Sequence, residues 1–89
     1  MNFLEVAQAC LEFSSENDAT IQSYPANQPD RLQVQARTNR TAIFVERGPG
    51  EGEWRLEQLK NAAGKKTGVS AMVTAVDGLQ AQLQTLWDN

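Results

Sequence analysis

The chain has 89 residues, enough for one domain with one modest hydrophobic core. It is 40% hydrophobic and 21% charged with a net charge of −3, a composition typical of a folded protein rather than a disordered one. Histidine is absent from the sequence and Cys10 is its one cysteine, which excludes Ser–His and Cys–His nucleophile pairs and zinc sites built from cysteine and histidine. We therefore predict a single domain over residues 1–89, with no cofactor, no metal and no enzymatic activity.

Charge is distributed unevenly along the chain. All eight basic residues lie between Arg31 and Lys66 with four acids, whereas residues 1–30 carry five acids and residues 67–89 carry two. Either the basic middle attracts the acidic ends within the fold, or it presents a surface to an anionic partner. The net negative charge disfavours non-specific nucleic-acid binding, because neutralised phosphates supply most of that affinity.

The sequence offers no signal for export or membrane insertion. The start from Met1 to Glu5 lacks the basic and long apolar regions of a signal peptide. No apolar run approaches the ~18 residues of a membrane-spanning helix. A single cysteine also cannot form an internal disulfide. We predict a cytoplasmic protein that has no membrane partner.

The first predicted element is an amphipathic helix over residues 2–16. Apolar residues recur at i, i+3, i+4, i+7 and i+10 through this segment. Asn2, with Glu5 three residues later, is typical of a capping box. Cys10 falls on the apolar side, which predicts a buried and unreactive thiol.

Residues 19–24 and 31–37 are predicted to form the first two strands. In the second of them Leu32 and Val34 alternate with polar residues, as in a strand with one buried face. A loop with two prolines lies between them, over residues 24–30. Proline cannot donate to a strand ladder, so this loop limits pairing at that end.

Residues 41–47 are predicted to return as an antiparallel strand after a turn at residues 38–39. In that register Val34 faces Ile43, and the same side stays apolar along both strands. Phe44 is then left on the opposite side of the sheet.

The segment after the glycine-rich turn at residues 48–52 is ambiguous. Residues 53–59 alternate as a strand does, with Trp54 and Leu56 on one side, but the stretch through residue 63 also has a helical apolar face. We favour the strand, because a glycine-rich loop after a strand most often closes a hairpin. Whether residues 53–63 form a strand or a helix decides whether the sheet has four strands or three.

The last predicted element is a helix over residues 70–87, preceded by a loop at residues 61–68. Apolar residues from Val69 to Trp87 hold helical spacing for five turns. Gly78 inside this helix costs about 1 kcal/mol relative to alanine and permits a bend.

These elements predict an α+β fold in the order α-β-β-β-(β)-α. An antiparallel sheet of three or four strands carries the N-terminal and the C-terminal helix on one face. The predicted core consists of Phe3, Val6, Cys10, Leu32, Val34, Ile43, Val45, Val73, Val76, Leu79 and Leu83, with Trp54, Leu56 and Trp87 closing its edges.

The predicted helix–strand–strand–strand–helix order, with Lys65 and Lys66 before the last helix, resembles that of a double-stranded-RNA-binding domain. The resemblance is confined to the order of the elements, since the predicted last helix carries no base where those domains have a lysine-rich cluster. It implies contacts from helices and loops to the 2′-hydroxyls and phosphates of RNA.

Glu51, Glu53 and Glu57 form a carboxylate-rich segment that could bind a hard cation. A calcium loop needs Asp or Asn at alternate positions before a terminal Glu, and that pattern is not present. We interpret the three glutamates as solvated turn carboxylates.

The predicted functional surface is the sheet face that the helices leave uncovered. Arginine and an aromatic residue among neutral amides are typical of protein-contact surfaces, and they also suit a stacking platform for single-stranded nucleic acid. An ordinary hydrated face with one exposed phenylalanine is the simplest alternative. The candidate binding residues are Arg31, Gln33, Gln35, Arg37, Phe44 and Arg55.

These features predict a non-enzymatic protein-binding or adaptor module, or a small regulator. Its partner is another protein or a second copy of the chain bound through the open sheet face. The alternative function is a weak nucleic-acid-binding domain, of the single-stranded or the double-stranded-RNA type, that uses the central arginine-rich segment.

Overall fold

The structure is a computed structural model that describes residues 1–23, 31–36, 41–60 and 65–88. Its elements are α1 (Phe3–Glu16), β1 (Ala19–Ser23), β2 (Arg31–Ala36), β3 (Ala42–Arg47), β4 (Trp54–Leu59), β5 (Lys66–Val73) and α2 (Val76–Asp88). The strands form one antiparallel sheet in the order β1-β2-β3-β4-β5. Both helices pack on one face of this sheet, so the predicted α+β class is confirmed.

Helix α1 begins where the sequence predicts. Asn2 is its N-cap, and the Oδ1 atom of Asn2 accepts a hydrogen bond from the backbone nitrogen of Glu5 at 2.8 Å. The Oε1 atom of Glu5 accepts in return from the backbone nitrogen of Asn2 at 3.0 Å. This capping box satisfies two of the backbone donors that the first turn of a helix leaves without partners.

The predicted pairing of β2 with β3 is confirmed in its register. Val34 lies opposite Ile43, while Gln33 lies opposite Phe44 on the other face of the sheet. Outside the described residues lie the predicted turn at 38–39, the two-proline loop at 24–30 and residues 61–64 of the predicted last loop.

The ambiguous segment after the glycine-rich turn is a strand. The backbone nitrogen of Gly48 donates to the carbonyl oxygen of Glu53 at 2.8 Å, which closes the β3–β4 hairpin. Gly52 has a φ of +70°, a conformation that glycine adopts at little cost. Leu56 then lies opposite Val45 on the core face, as the strand interpretation requires.

The predicted start of the last helix is wrong, because α2 begins at Val76 rather than at residue 70. The preceding residues Lys66–Val73 form β5, which pairs with β4 and gives the sheet five strands, one more than the predicted maximum. Val73 fits the apolar pattern of a helix and also the apolar pattern of a strand. Pairing with β4 favours the strand, because the backbone groups along the edge of β4 need hydrogen-bond partners. A helix that began at residue 70 would not supply them. The five-strand order also differs from the three-strand order of double-stranded-RNA-binding domains.

The hydrophobic core lies between the helices and the sheet. Trp54 and Leu56 are fully buried at its centre rather than at its edge, whereas Phe3 and Val76 are only partly buried. The buried core residues are Val6, Ala9, Cys10, Phe13, Ala19, Leu32, Val34, Ile43, Val45, Trp54, Leu56, Val73, Leu79, Leu83 and Leu86. Within the described ranges, neither helix is long and apolar enough to cross a membrane.

Candidate functional site

The candidate site lies on the sheet face opposite the helices, called here the outer face. Alternation along the paired strands defines its members. They are Thr20, Gln22, Arg31, Gln33, Gln35, Ala42, Phe44, Glu46, Arg55, Glu57, Leu59, Lys66, Ser70 and Met72.

The structure brings five of the six predicted site residues together on this face. They come from three adjacent strands: Arg31, Gln33 and Gln35 from β2, Phe44 from β3 and Arg55 from β4. The sixth, Arg37, lies outside the described residues.

An ion-pair network crosses the outer face from β2 to β5. The Glu46 carboxylate lies 3.7 Å from Nε of Arg31 and 3.3 Å from Nη1 of Arg55. The Glu57 carboxylate lies 3.1 Å from Nη1 of Arg55 and 3.5 Å from Nζ of Lys66. Cations and anions therefore alternate across four neighbouring strands, an arrangement in which cross-strand neighbours attract one another.

Glu57 is the most enclosed member of the network, with a side chain that is 7% exposed. Its interpretation as a solvated turn carboxylate is wrong, because it lies within β4 and is buried between two cations. A carboxylate removed from water needs such partners to offset its lost hydration. Glu51 and Glu53 do lie in the hairpin turn, where Glu53 accepts a hydrogen bond from the backbone nitrogen of Gly50 at 3.2 Å.

The outer face is concave rather than flat. It holds a cavity of about 300 Å³ that is lined by Arg31, Gln33, Phe44, Glu46, Glu57, Leu59 and Lys66. Several members of the face are buried although they point away from the helices, among them Gln33, Ala42 and Leu59. The sequence predicts a bare face, whereas in the structure several of its side chains are buried.

Phe44 provides the aromatic surface of this cavity. Its side chain is half-buried, and the guanidinium group of Arg31 lies 5.9 Å from the centroid of its ring. That distance is within the range of a cation–π contact. Gln33 lies directly opposite Phe44 on β2, and its Nε2 atom donates to Oε1 of Gln35 at 3.3 Å. The site thus joins an aromatic ring, a guanidinium group and amides.

The outer face offers an aromatic ring, charged groups and amides for contact and hydrogen bonding. Within the described residues, no group of three or more His, Cys, Asp or Glu side chains is placed to hold a metal ion. Cys10 lies on the helical side of the sheet, where burial raises the pKa of its thiol from 9.0 to about 12. The protein's thiol is therefore protonated at neutral pH and is not part of the outer face.

Sequence reasoning missed four residues that line the cavity, of which Glu46 shares the side of β3 that carries Phe44. Glu57 and Leu59 follow from the alternation of β4, because both share the side that carries Arg55. Lys66 could not be found in this way, since β5 had to be recognised before Lys66 could be placed opposite Leu59.

The network also shows that basic residues in the middle of the chain pair with acids of the same segment. Each of the four ion pairs given by the described part of the structure joins residues between Arg31 and Lys66. Helices α1 and α2 contain acids and no base, so the helical side of the molecule carries acids from both ends of the chain.

The comparison of the chain with protein-family models, with curated proteins and with solved structures found no match.

Proposed function

We propose that this chain is a non-enzymatic protein-binding module, an adaptor or small regulator of the cytoplasm, that contacts another protein through its outer face. The observation that carries the proposal is the cavity of about 300 Å³ in which Phe44 meets Arg31. Aromatic and arginine side chains in a partly enclosed pocket are the residues that most often dominate protein–protein affinity.

The ion-pair network supports a protein partner. Glu46 and Glu57 each contact two cations, so the charges of the face are largely neutralised before any partner arrives. A neutralised concave face loses less hydration on contact with a protein than a row of unpaired charges would. Its carboxylates and amides still offer hydrogen-bond acceptors and donors to the rim of an interface.

The same network argues against the nucleic-acid alternative. Binding to DNA or RNA draws its affinity from cations that neutralise phosphates and release counterions. Here Arg31, Arg55 and Lys66 already face carboxylates, and those carboxylates would repel a phosphate backbone. A nucleic-acid complex that used Arg31, Arg55 or Lys66 would have to break ion pairs that the fold already makes.

Site-directed photo-cross-linking tests the proposal. A photo-reactive amino acid at Gln35 samples the rim of the outer face, and the same amino acid at Gln8, exposed on α1, is the matched control. We expect a protein from the native host to cross-link at position 35 and not at position 8. The purified partner should then bind the wild-type chain in solution. Equal cross-linking at both positions, or a partner that binds the Phe44→Ala variant with unchanged affinity, would contradict the proposal.

Titration with labelled single- and double-stranded oligonucleotides tests the alternative function. We expect no binding at about 150 mM salt. Micromolar binding that falls steeply between about 50 and 200 mM salt, and that is lost in an Arg31→Ala variant, would favour nucleic-acid binding instead.

A further inference from the structure

The open edge of β5 is the second surface that stands out in this fold. In the described part of the chain no strand pairs with β5 on the side away from β4. Two large apolar side chains of this strand are exposed, Val69 by 41% and Met72 by 46%. A long apolar edge strand with exposed backbone groups is a template for pairing with another strand.

The hydrogen-bond pattern of the sheet shows which backbone groups point outward from this edge. Gly48, the residue after β3, donates its backbone N–H to the carbonyl oxygen of Glu53, the residue before β4, so these two residues stand at a hydrogen-bonded position of the β3–β4 ladder. Because such pairs alternate along antiparallel strands, the backbone groups of Leu56 point to β5 and meet those of Ala71. The N–H and C=O groups of Ser70 and Met72 therefore lie in the plane of the sheet and point outward from its edge, away from β4.

We infer that β5 pairs with β5 of a second copy of this chain, antiparallel and about a two-fold axis at Ala71. In this register Ser70 lies opposite Met72 of the second copy, and Met72 lies opposite its Ser70. The outward N–H and C=O groups of both residues then form two hydrogen-bonded pairs across the axis. The arrangement is self-complementary, which is why a second copy fits this edge.

The side chains agree with this register. Residues 67–73 carry no charge, so the paired segment brings no like charges together. Ala71, a small residue, lies on the axis. Exposed Lys65 lies just before β5, and exposed Asp77 lies in the first turn of α2, which follows β5, so antiparallel pairing turns the basic end of each strand toward the side where the other copy carries Asp77.

The irregular part of the strand lies outside the paired segment. The register between β4 and β5 shifts opposite residues 66–70, where Gly68 has a φ of +88°. Such an irregularity limits how far another strand can extend along this edge. Pairing is confined to residues 69–73, which is a short interface. We therefore expect a reversible dimer with a micromolar dissociation constant rather than an obligate one.

Dimerisation would join two five-stranded sheets into one continuous sheet. A two-fold axis perpendicular to the sheet keeps both helical layers on one side and both outer faces on the other. The dimer would then present two copies of the outer-face site to one partner or to two linked partners. The inference does not depend on the proposed function, because it concerns the backbone edge of β5 rather than the cavity of the outer face and is tested without a partner.

Sedimentation of the purified chain over a range of concentrations tests this inference. We expect a reversible monomer–dimer equilibrium for the wild-type chain. In Ser70→Pro the outward N–H group is removed while the ladder to β4 is kept, so the dissociation constant should rise at least about tenfold.

Two double variants test the register itself. Ser70→Lys with Met72→Lys places like charges opposite each other across the axis and should abolish dimerisation. Ser70→Lys with Met72→Glu places opposite charges there and should restore it. Thr20→Lys with Gln22→Lys on β1, the other edge strand, is the matched control and should dimerise like the wild type. Circular dichroism establishes that each variant is folded.

A wild-type chain that stays monomeric up to about 1 mM would overturn the inference. So would a dimer that both double variants weaken equally, because that result would exclude the register. A dimer lost in Phe44→Ala and kept in Ser70→Pro would assign self-association to the outer face instead of the edge.

Discussion

The guanidinium group of Arg31 lies over the ring of Phe44, 5.9 Å from its centroid, although the two residues are diagonal rather than direct neighbours on β2 and β3. The direct neighbours are Gln33 for Phe44 and Glu46 for Arg31. The Glu46 carboxylate thus forms an ion pair with the Arg31 guanidinium group, and the face of the Phe44 ring contacts the same group. This diagonal contact makes Phe44 part of a cavity wall rather than an isolated exposed ring.

The first prediction concerns the contribution of Phe44 to partner binding. Phe44→Ala should weaken binding of the cross-linked partner at least about tenfold, mainly through faster dissociation, because a central aromatic anchor often contributes ~2 kcal/mol or more. Arg31→Ala should also speed dissociation, because it removes the guanidinium group that lies over the Phe44 ring. Surface plasmon resonance separates the two rates. Gln8→Ala, at an exposed position of α1 outside the outer face, is the control and should leave both rates unchanged.

The second prediction concerns the buried carboxylate of Glu57. Glu57→Gln should lower the free energy of unfolding by about 2 kcal/mol, because Arg55 and Lys66 lose the charge that they face. Urea denaturation measures the change. Glu51→Gln, at an exposed turn position, should change stability by less than about 0.5 kcal/mol. Equal effects of the two variants would show that the network contributes no stability.

The third prediction concerns Cys10, whose burial raises the pKa of the thiol from 9.0 to about 12. Alkylation by iodoacetamide at about pH 8 should be at least a hundredfold slower in the folded chain than in urea, because the thiolate is the reactive form. Rapid alkylation of the folded chain would contradict the buried position.

The same shift in the pKa of Cys10 makes stability depend on alkaline pH. The folded chain keeps its thiol proton where the unfolded chain loses it, so the contribution of Cys10 is complete below pH 9. It falls as the pH rises from 9 toward about 12, by about 1.4 kcal/mol per pH unit. Urea denaturation between these pH values measures the slope, and a Cys10→Ala variant should lack this part of it.

The fourth prediction compares two glycines of the hairpin turn. Gly52 has a φ of +70°, so Gly52→Ala forces a side chain into a strained backbone conformation and should cost about 1 kcal/mol. Gly50 has no such φ, and a Cβ atom there would meet only the Glu53 side chain, at 3.4–3.6 Å. Gly50→Ala should therefore be nearly neutral. Thermal unfolding of both variants measures the difference, and equal losses would contradict this account of the turn.

The sequence by itself determined the elements whose signals are local. The capping box of Asn2 and Glu5 needs only a spacing of three residues to start α1. The alternation of β2 and β3 places Val34 opposite Ile43, because a slip of one residue would turn every apolar side chain toward the outer face. Arg31, Gln33, Gln35 and Phe44 follow from the same alternation, whereas Arg55 follows from the strand interpretation of β4.

Only the tertiary structure decided the end of the sheet. The apolar spacing of residues 69–73 suits a helix and a strand equally well. The segment forms a strand because its backbone groups pair with those along the edge of β4. Gln58 shows the same dependence, because its Nε2 atom donates to the carbonyl oxygen of Leu86 at 2.7 Å once α2 has packed on the sheet. Nothing near Gln58 in the sequence indicates a partner that lies 28 residues away.

The chemical character of the outer face was likewise set by packing. The sequence shows Glu57 as one of three glutamates near a turn, and its alternation shows only which side of β4 it occupies. Its burial between Arg55 and Lys66 requires β5 to be in place, because Lys66 comes from that strand. Local patterns therefore determined which residues of β2, β3 and β4 share the outer face, and the long-range pairing of β4 with β5 added Lys66 to that face and placed it beside Glu57.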